Sequence, residues 1–190
     1  MRILIQTGGE SGLRALRTSM PCLLIAAQLF FAAGGAQAQS GEIRCSVTEN
    51  AAPARGTVSV TQNGKEVGAG SCGATLSVPA GKCKVTVRLD GTVDNPSQVV
   101  DVEVRPGQTA PVTVDFKTGV LEVRIESKAQ SGTGLVTVNR GTERIGTLGS
   151  GVAARLSAGT YQVVVRLGDQ ERRYEVELRP GQRRLVRAQF

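Results

Sequence analysis

Histidine is absent from the 190-residue chain, tryptophan with it, and aromatic residues make up only 3 %. Without an imidazole, Ser-His-Asp and Cys-His activation of a nucleophile are unavailable, and so is every histidine metal ligand. So few aromatics leave the core to valine, leucine and alanine, which bury less area per residue. They also leave no exposed rings on which a sugar or a base could stack. Missing as well, after residue 38, is any long stretch with an apolar period of 3.6, so amphipathic helices are not expected. Serine, lysine and carboxylates remain, but nothing in the sequence converges them. The chain is therefore read as non-enzymatic, with no metal site and no cofactor. What is plentiful is glycine, at 24 residues, with valine and threonine, the composition of β structure broken by many turns.

The N-terminal segment differs from the rest. Arg2, Arg14 and Arg17 precede the apolar run from Cys22 to Ala33, and the small-residue site Ala36-Gln37-Ala38 follows it. This order of basic, apolar and small residues predicts a signal peptide over 1–38, leaving Gln39 as the mature terminus. The apolar run falls short of the roughly 20 residues a membrane span needs, so the protein is expected to be exported, periplasmic or extracellular. Met1 and Met20 both stand as possible starts. Cys45, Cys72 and Cys83 remain after cleavage, in a compartment that permits disulfides.

The mature chain is a duplication. Shifted by 78 positions, Gly41 to Leu89 aligns without a gap on Gly119 to Leu167. Val58 and Val60 fall on Val136 and Val138, Ala80-Gly81 on Ala158-Gly159, and Val85, Val87, Arg88 and Leu89 on Val163, Val165, Arg166 and Leu167. The offset then becomes 74, because the first copy carries four more residues in the Asp90 to Ser97 loop. Arg105-Pro106-Gly107-Gln108 matches Arg179-Pro180-Gly181-Gln182, and Phe116 matches Phe190. Period-2 alternation, as in Ile43, Cys45, Val47 and in Tyr161, Val163, Val165, Leu167, marks half-buried strands. Pro79-Ala80-Gly81 and Pro106-Gly107 read as turns. About seven short strands per copy predict an all-β fold of two tandem Ig-like β-sandwich modules, 39–116 and 117–190. With only Lys117 and Thr118 between them, the modules should keep a nearly fixed relation.

The segment from Leu76 to Val87 and its counterpart from Leu156 to Val165 carry an aliphatic residue, Ala-Gly and then alternating valines. This pattern resembles the PEGA-like and carboxypeptidase-regulatory-like bacterial modules, as does the later Arg-Pro-Gly-Gln turn leading to a phenylalanine. The Pro-Glu-Gly-Ala tetrad itself is missing, and Cys83 stands where the pattern has tyrosine. The resemblance implies extracytoplasmic, non-catalytic modules and no particular ligand.

Three features invite a functional reading. The first is a disulfide. Cys45, Cys72 and Cys83 all share the parity of core positions. If Pro79 to Lys82 closes a hairpin, Cys72 lies about 20 Å from Cys83, beyond bridging range. The expected bond is Cys45 to Cys83, against the alternative of three buried thiols. The second is charge. Residues 39–116 carry 7 Lys and Arg against 8 Asp and Glu, and residues 117–190 carry 13 against 7. Arg172, Arg173, Arg183, Arg184 and Arg187 crowd the last two strands, read as a hairpin. They form a candidate anion-binding patch, or else a solvated edge partly paired with Glu175 and Glu177. The third is the oxygen-rich Asp90 to Ser97 loop, which has too few donors for calcium and reads as a plain turn. The partner is an unidentified macromolecule, with nucleic acid disfavoured. Two readings stand side by side: an envelope-associated or secreted structural and interaction module, and a binding or inhibitory protein whose basic second module docks an anionic surface.

Overall fold

The computed structural model describes residues 39–127 and 134–190; the expected signal peptide lies outside them. The described residues fall into one compact unit built from two β-sandwiches.

The first sandwich opens with β1 (Ser40–Glu49), whose alternate residues Ile43, Cys45 and Val47 are buried. The short β2 (Ala52–Pro53) folds back on its end. β3 (Gly56–Gln62), β4 (Lys65–Ser71), β5 (Thr75–Pro79), β6 (Gly81–Leu89), β7 (Ser97–Val104) and β8 (Thr109–Phe116) follow. One sheet centres on β1, which pairs antiparallel with β5 and parallel with β8. The other runs β4-β3-β6-β7. Valines from both sheets meet in a single apolar cluster that also takes in Leu89 and Phe116.

The second sandwich repeats this plan. β9 (Thr118–Glu126) pairs antiparallel with β12 (Ala153–Ser157) and parallel with β15 (Arg183–Gln189). The facing sheet runs β11-β10-β13-β14, made by β11 (Glu143–Leu148), β10 (Leu135–Arg140), β13 (Gly159–Leu167) and β14 (Gln170–Leu178). Its core is separate, with Leu121, Leu156, Tyr161 and Leu178 fully buried. Because β1 and β8 run parallel, both end on the same side of the first module. There the chain passes through Lys117 alone into β9.

This topology corrects two expectations. Pro79-Ala80-Gly81 does not close a hairpin: β5 belongs to the β1 sheet and β6 to the opposite one, so the turn carries the chain across the sandwich. The same holds between β14 and β15, which lie in different sheets. The disulfide changes with the first of these. β5 runs beside β1 with Ile43 opposite Leu76. The turn at Gly73, whose N–H donates to the Cys45 carbonyl at 2.8 Å, brings Cys72 next to Cys45. Cys45 and Cys72 are bonded, with Cα atoms 4.7 Å apart. Cys83 is a free thiol, buried on the opposite sheet and donating to the Val102 carbonyl at 3.4 Å. Burial pushes this thiol up from its ordinary value.

Candidate functional site

The loop that breaks the repeat, Asp90 to Ser97, is not a plain turn but a strap from the first module onto the second. Its Val93 N–H donates to the Arg155 carbonyl at 2.9 Å. Arg155 lies on β12, an edge strand, so the strap satisfies a backbone group that would otherwise sit on an open edge. One residue on, the Asp94 carboxylate accepts the Ser157 N–H at 3.0 and 3.2 Å and Arg140 Nη2 at 3.3 Å. Its side chain is only 3 % exposed. A carboxylate so deeply buried is tolerated because donors surround it. It is thereby committed to the junction rather than to a cation. Among the described residues no cluster of three His, Cys, Asp or Glu could hold a metal ion.

Two small residues make the room. Val93 packs against the second core, and a Cβ on Gly146 would lie 2.9 Å from its Cγ1. The repeat explains why the first module has no such socket. Gly68 corresponds to Gly146, and a Cβ there would lie 3.0 Å from Leu76 Cδ2. Position 76 corresponds to Ala154. The first module fills its own socket with leucine, and the second leaves it open with alanine for Val93.

Arg155 ties the strap down from the other side. Its guanidinium donates to Glu49 at 2.7 Å, to the Asp90 carbonyl at 3.0 Å and to the Gly91 carbonyl at 3.1 Å. Gly91 has φ +75°, a conformation that strains a larger side chain, and a Cβ there would lie 2.6 Å from Arg155 Nη2, so any other residue would have to displace the guanidinium. Glu49 also accepts from Thr118 Oγ1 at 2.5 Å, and Asn50 donates to the Thr118 carbonyl at 3.0 Å while accepting its N–H at 3.1 Å. The turn holding Glu49 and Asn50 is anchored by Asp115, which accepts from Thr48 Oγ1 and the Ala51 N–H. The Lys117 ammonium 2.5 Å away, with these two bonds, pulls the Asp115 carboxyl down to about 2. At the strap, Tyr161 donates to the Ser157 carbonyl at 2.7 Å and accepts from Arg140, whose guanidinium also lies over its ring. Burial, then the Asp94 charge, pushes its phenol up to about 12.

The arginines expected as one anion patch are exposed but divided. Arg172 and Arg173 sit on β14 and Arg183, Arg184 and Arg187 on β15, edge strands of opposite sheets. Arg172 reaches over the Phe190 ring, 5.4 Å from its centroid. Arg183 pairs at 2.6 Å with Glu122, a buried carboxylate that Arg124 also contacts at 2.7 Å. Arg183 first, then Arg124, holds Glu122 below the usual carboxylate range. Arg187 lies 3.7 Å from Glu126, and Arg173 pairs with Glu171 at 2.7 Å. Of the expected partners, Glu177 pairs with Arg179, just past the end of its strand, at 3.3 Å.

No family model matches the chain, and no curated protein does. Among solved structures, the Bacillus anthracis TIE protein aligns over 80 % of this chain at 16 % identity and TM-score 0.39; the chain spans 34 % of that protein's length. A candidate adhesin from Bacteroides ovatus aligns over 73 % of this chain and 76 % of its own, at 9 % identity and TM-score 0.40. A candidate polysaccharide-binding protein from Bacteroides thetaiotaomicron aligns over 72 % and 79 %, at 11 % identity and TM-score 0.37. Likenesses this weak assign neither a fold nor a ligand to this chain.

Proposed function

We propose that the protein is an exported, non-enzymatic interaction module that presents two β-sandwiches to a macromolecular partner as one rigid body. The observation that carries this reading is the strap: a buried carboxylate, an inserted valine and a multiply bonded arginine fix the second module on the first. A linker meant only to space two domains would need none of these, and relative motion is the default where an interface is small. Fixing the relation removes an orientational cost that a two-site partner would otherwise meet on binding. The lack of histidine and the segment 1–38 support the non-catalytic and exported parts of the reading.

The test uses the mature chain 39–190 and envelope fragments in co-sedimentation at low salt. The intact protein should sediment with the fragments, and Asp94→Ala with Arg155→Ala should weaken binding about tenfold or more by freeing the modules. Intact protein left in the supernatant, or equal binding by the loosened variant, would contradict the reading. Mass spectrometry of exported material should find Gln39 at the N-terminus; a retained 1–38 segment would remove the export argument.

A further inference from the structure

The outer face of the β11-β10-β13-β14 sheet holds an open trough of about 360 Å³. Thr137, Asn139 and Gln162 line it with hydroxyl and amide groups, and Arg144, Arg166 and Arg173 also border it. These arginines are not the edge group of β15. Two of them are held in place: Glu171 accepts from Arg166 Nε at 2.6 Å and from Arg173 Nε at 2.7 Å. Both contacts use the Nε, so neither involves the terminal amino groups. Arg144 has no acidic partner among the described residues.

The duplication makes this face informative. A trough on the same face of the first module is lined by Thr57, Ser59, Ala69, Thr86 and Arg88, of which Thr57, Ser59, Thr86 and Arg88 stand at the positions of Leu135, Thr137, Val164 and Arg166. Arg88 matches Arg166, so one arginine is common to both copies. The other two are not: Glu66 stands where Arg144 is, and Val99 where Arg173 is. At the trough positions four charges differ: Arg144 and Arg173 add positive charge, while Gln162 replaces Lys84 and Glu171, also in the lining, replaces Ser97, so the second module's trough keeps a net +2 against +1 at the same positions of the first. Neither added arginine serves the core, since Arg144 and Arg173 are exposed.

We infer that this trough binds an acidic polysaccharide, with Arg144, Arg166 and Arg173 taking its carboxylate or sulfate groups and Thr137, Asn139 and Gln162 its hydroxyls. Guanidinium groups suit planar bidentate carboxylates. Side-chain amides and hydroxyls suit a hydroxyl-rich chain. No ring borders the trough, which disfavours nucleobases and neutral sugars held by stacking. Leu135, at 47 % exposed, is the only large exposed apolar residue bordering it, too little for membrane insertion. This inference rests on the reading of the protein as a binding module and adds the ligand class and its site.

The experiment titrates the mature chain with oligogalacturonate of about ten units, followed by calorimetry and by amide shifts of Thr137, Asn139 and Gln162. Binding should move these amides and weaken as salt rises. Arg144→Glu with Arg173→Val, which restores the first module's residues, should weaken it about tenfold or more. Arg184→Ser with Arg187→Ser should change it less than about twofold. The fold of each variant is checked from its unperturbed amide spectrum. Equal binding of a neutral malto-oligosaccharide would overturn the inference. So would tighter binding of inorganic polyphosphate or phosphatidylglycerol vesicles, or an oligogalacturonate affinity unchanged in the first variant. Envelope co-sedimentation that survives while oligogalacturonate fails to bind would overturn the trough alone and leave the interaction module standing.

Discussion

Cys45 bonds Cys72 and leaves Cys83 free because β5 lies beside β1 while β6 joins the facing sheet. Strand parity placed Cys45, Cys72 and Cys83 on the core side, and all three are buried or packed against the core. It could not say which sheet each strand joins, because core-facing positions look alike on either side of a sandwich. Peptide mapping without reduction should recover Cys45 joined to Cys72, and Cys83 should be alkylated only after unfolding. A bridge spanning 27 residues stabilises by about 3 kcal/mol, so reduction should lower stability by that order; recovery of a Cys45 to Cys83 peptide would refute the strand assignment. Two titrations belong to this scale. Asp115, held at about 2 by Lys117 and its hydrogen bonds, favours the folded state above its unfolded value of 3.8, and that contribution fades as pH falls toward 2. Tyr161, raised to about 12, favours the folded state fully below 10, and its contribution is lost as pH rises through 12. Spectrophotometric titration should show one tyrosine ionising near 12, absent in Tyr161→Phe. A normal phenol at that position would contradict the buried contact with Asp94.

At the scale of elements, the strands were legible and their partners only partly so. Alternation from Ile43 to Val47 and from Tyr161 to Leu167 marks β1 and β13 because one face of each is buried and the other wet. The Pro-Ala-Gly and Pro-Gly turns were legible as turns, but a turn between sheets and a turn within one use the same residues. The strap was visible as the place where the offset falls from 78 to 74. Its role was hidden because it depends on Ala154 being smaller than Leu76, a difference that matters only once Gly146 and Val93 are in contact. Ala154→Leu should therefore close the socket as Leu76 closes its own. The second module should stay folded while the Val93 amide loses its protection from hydrogen exchange; retained protection would show that the socket does not hold the strap. The arginine edge behaves unevenly for a related reason. Arg184→Ser should change stability by no more than about 0.5 kcal/mol, as for an exposed residue with no ion pair among the described residues. Arg183→Ser should cost more in thermal unfolding, since it removes a partner of buried Glu122. Equal losses would argue against that pair.

For the whole molecule, the fixed relation expected from a one- or two-residue connection has a physical basis larger than the connection. Thr118, read as hinge, is buried and bonded to Asn50 and Glu49, while Arg155, which shares Glu49 with it, and Asp94 fasten the strap. Divergence between the copies thus does two things at once: it closes the first module's socket and opens the second's, and it moves positive charge onto the second module alone. Residual dipolar couplings of backbone amides test this account most directly. In the intact mature chain, couplings from residues 40–116 and from 118–127 with 134–190 should fit one alignment tensor with the orientation of the structure. Asp94→Ala with Arg155→Ala should split them into two. Two independent tensors in the intact protein would contradict the claim that the strap makes the modules one body.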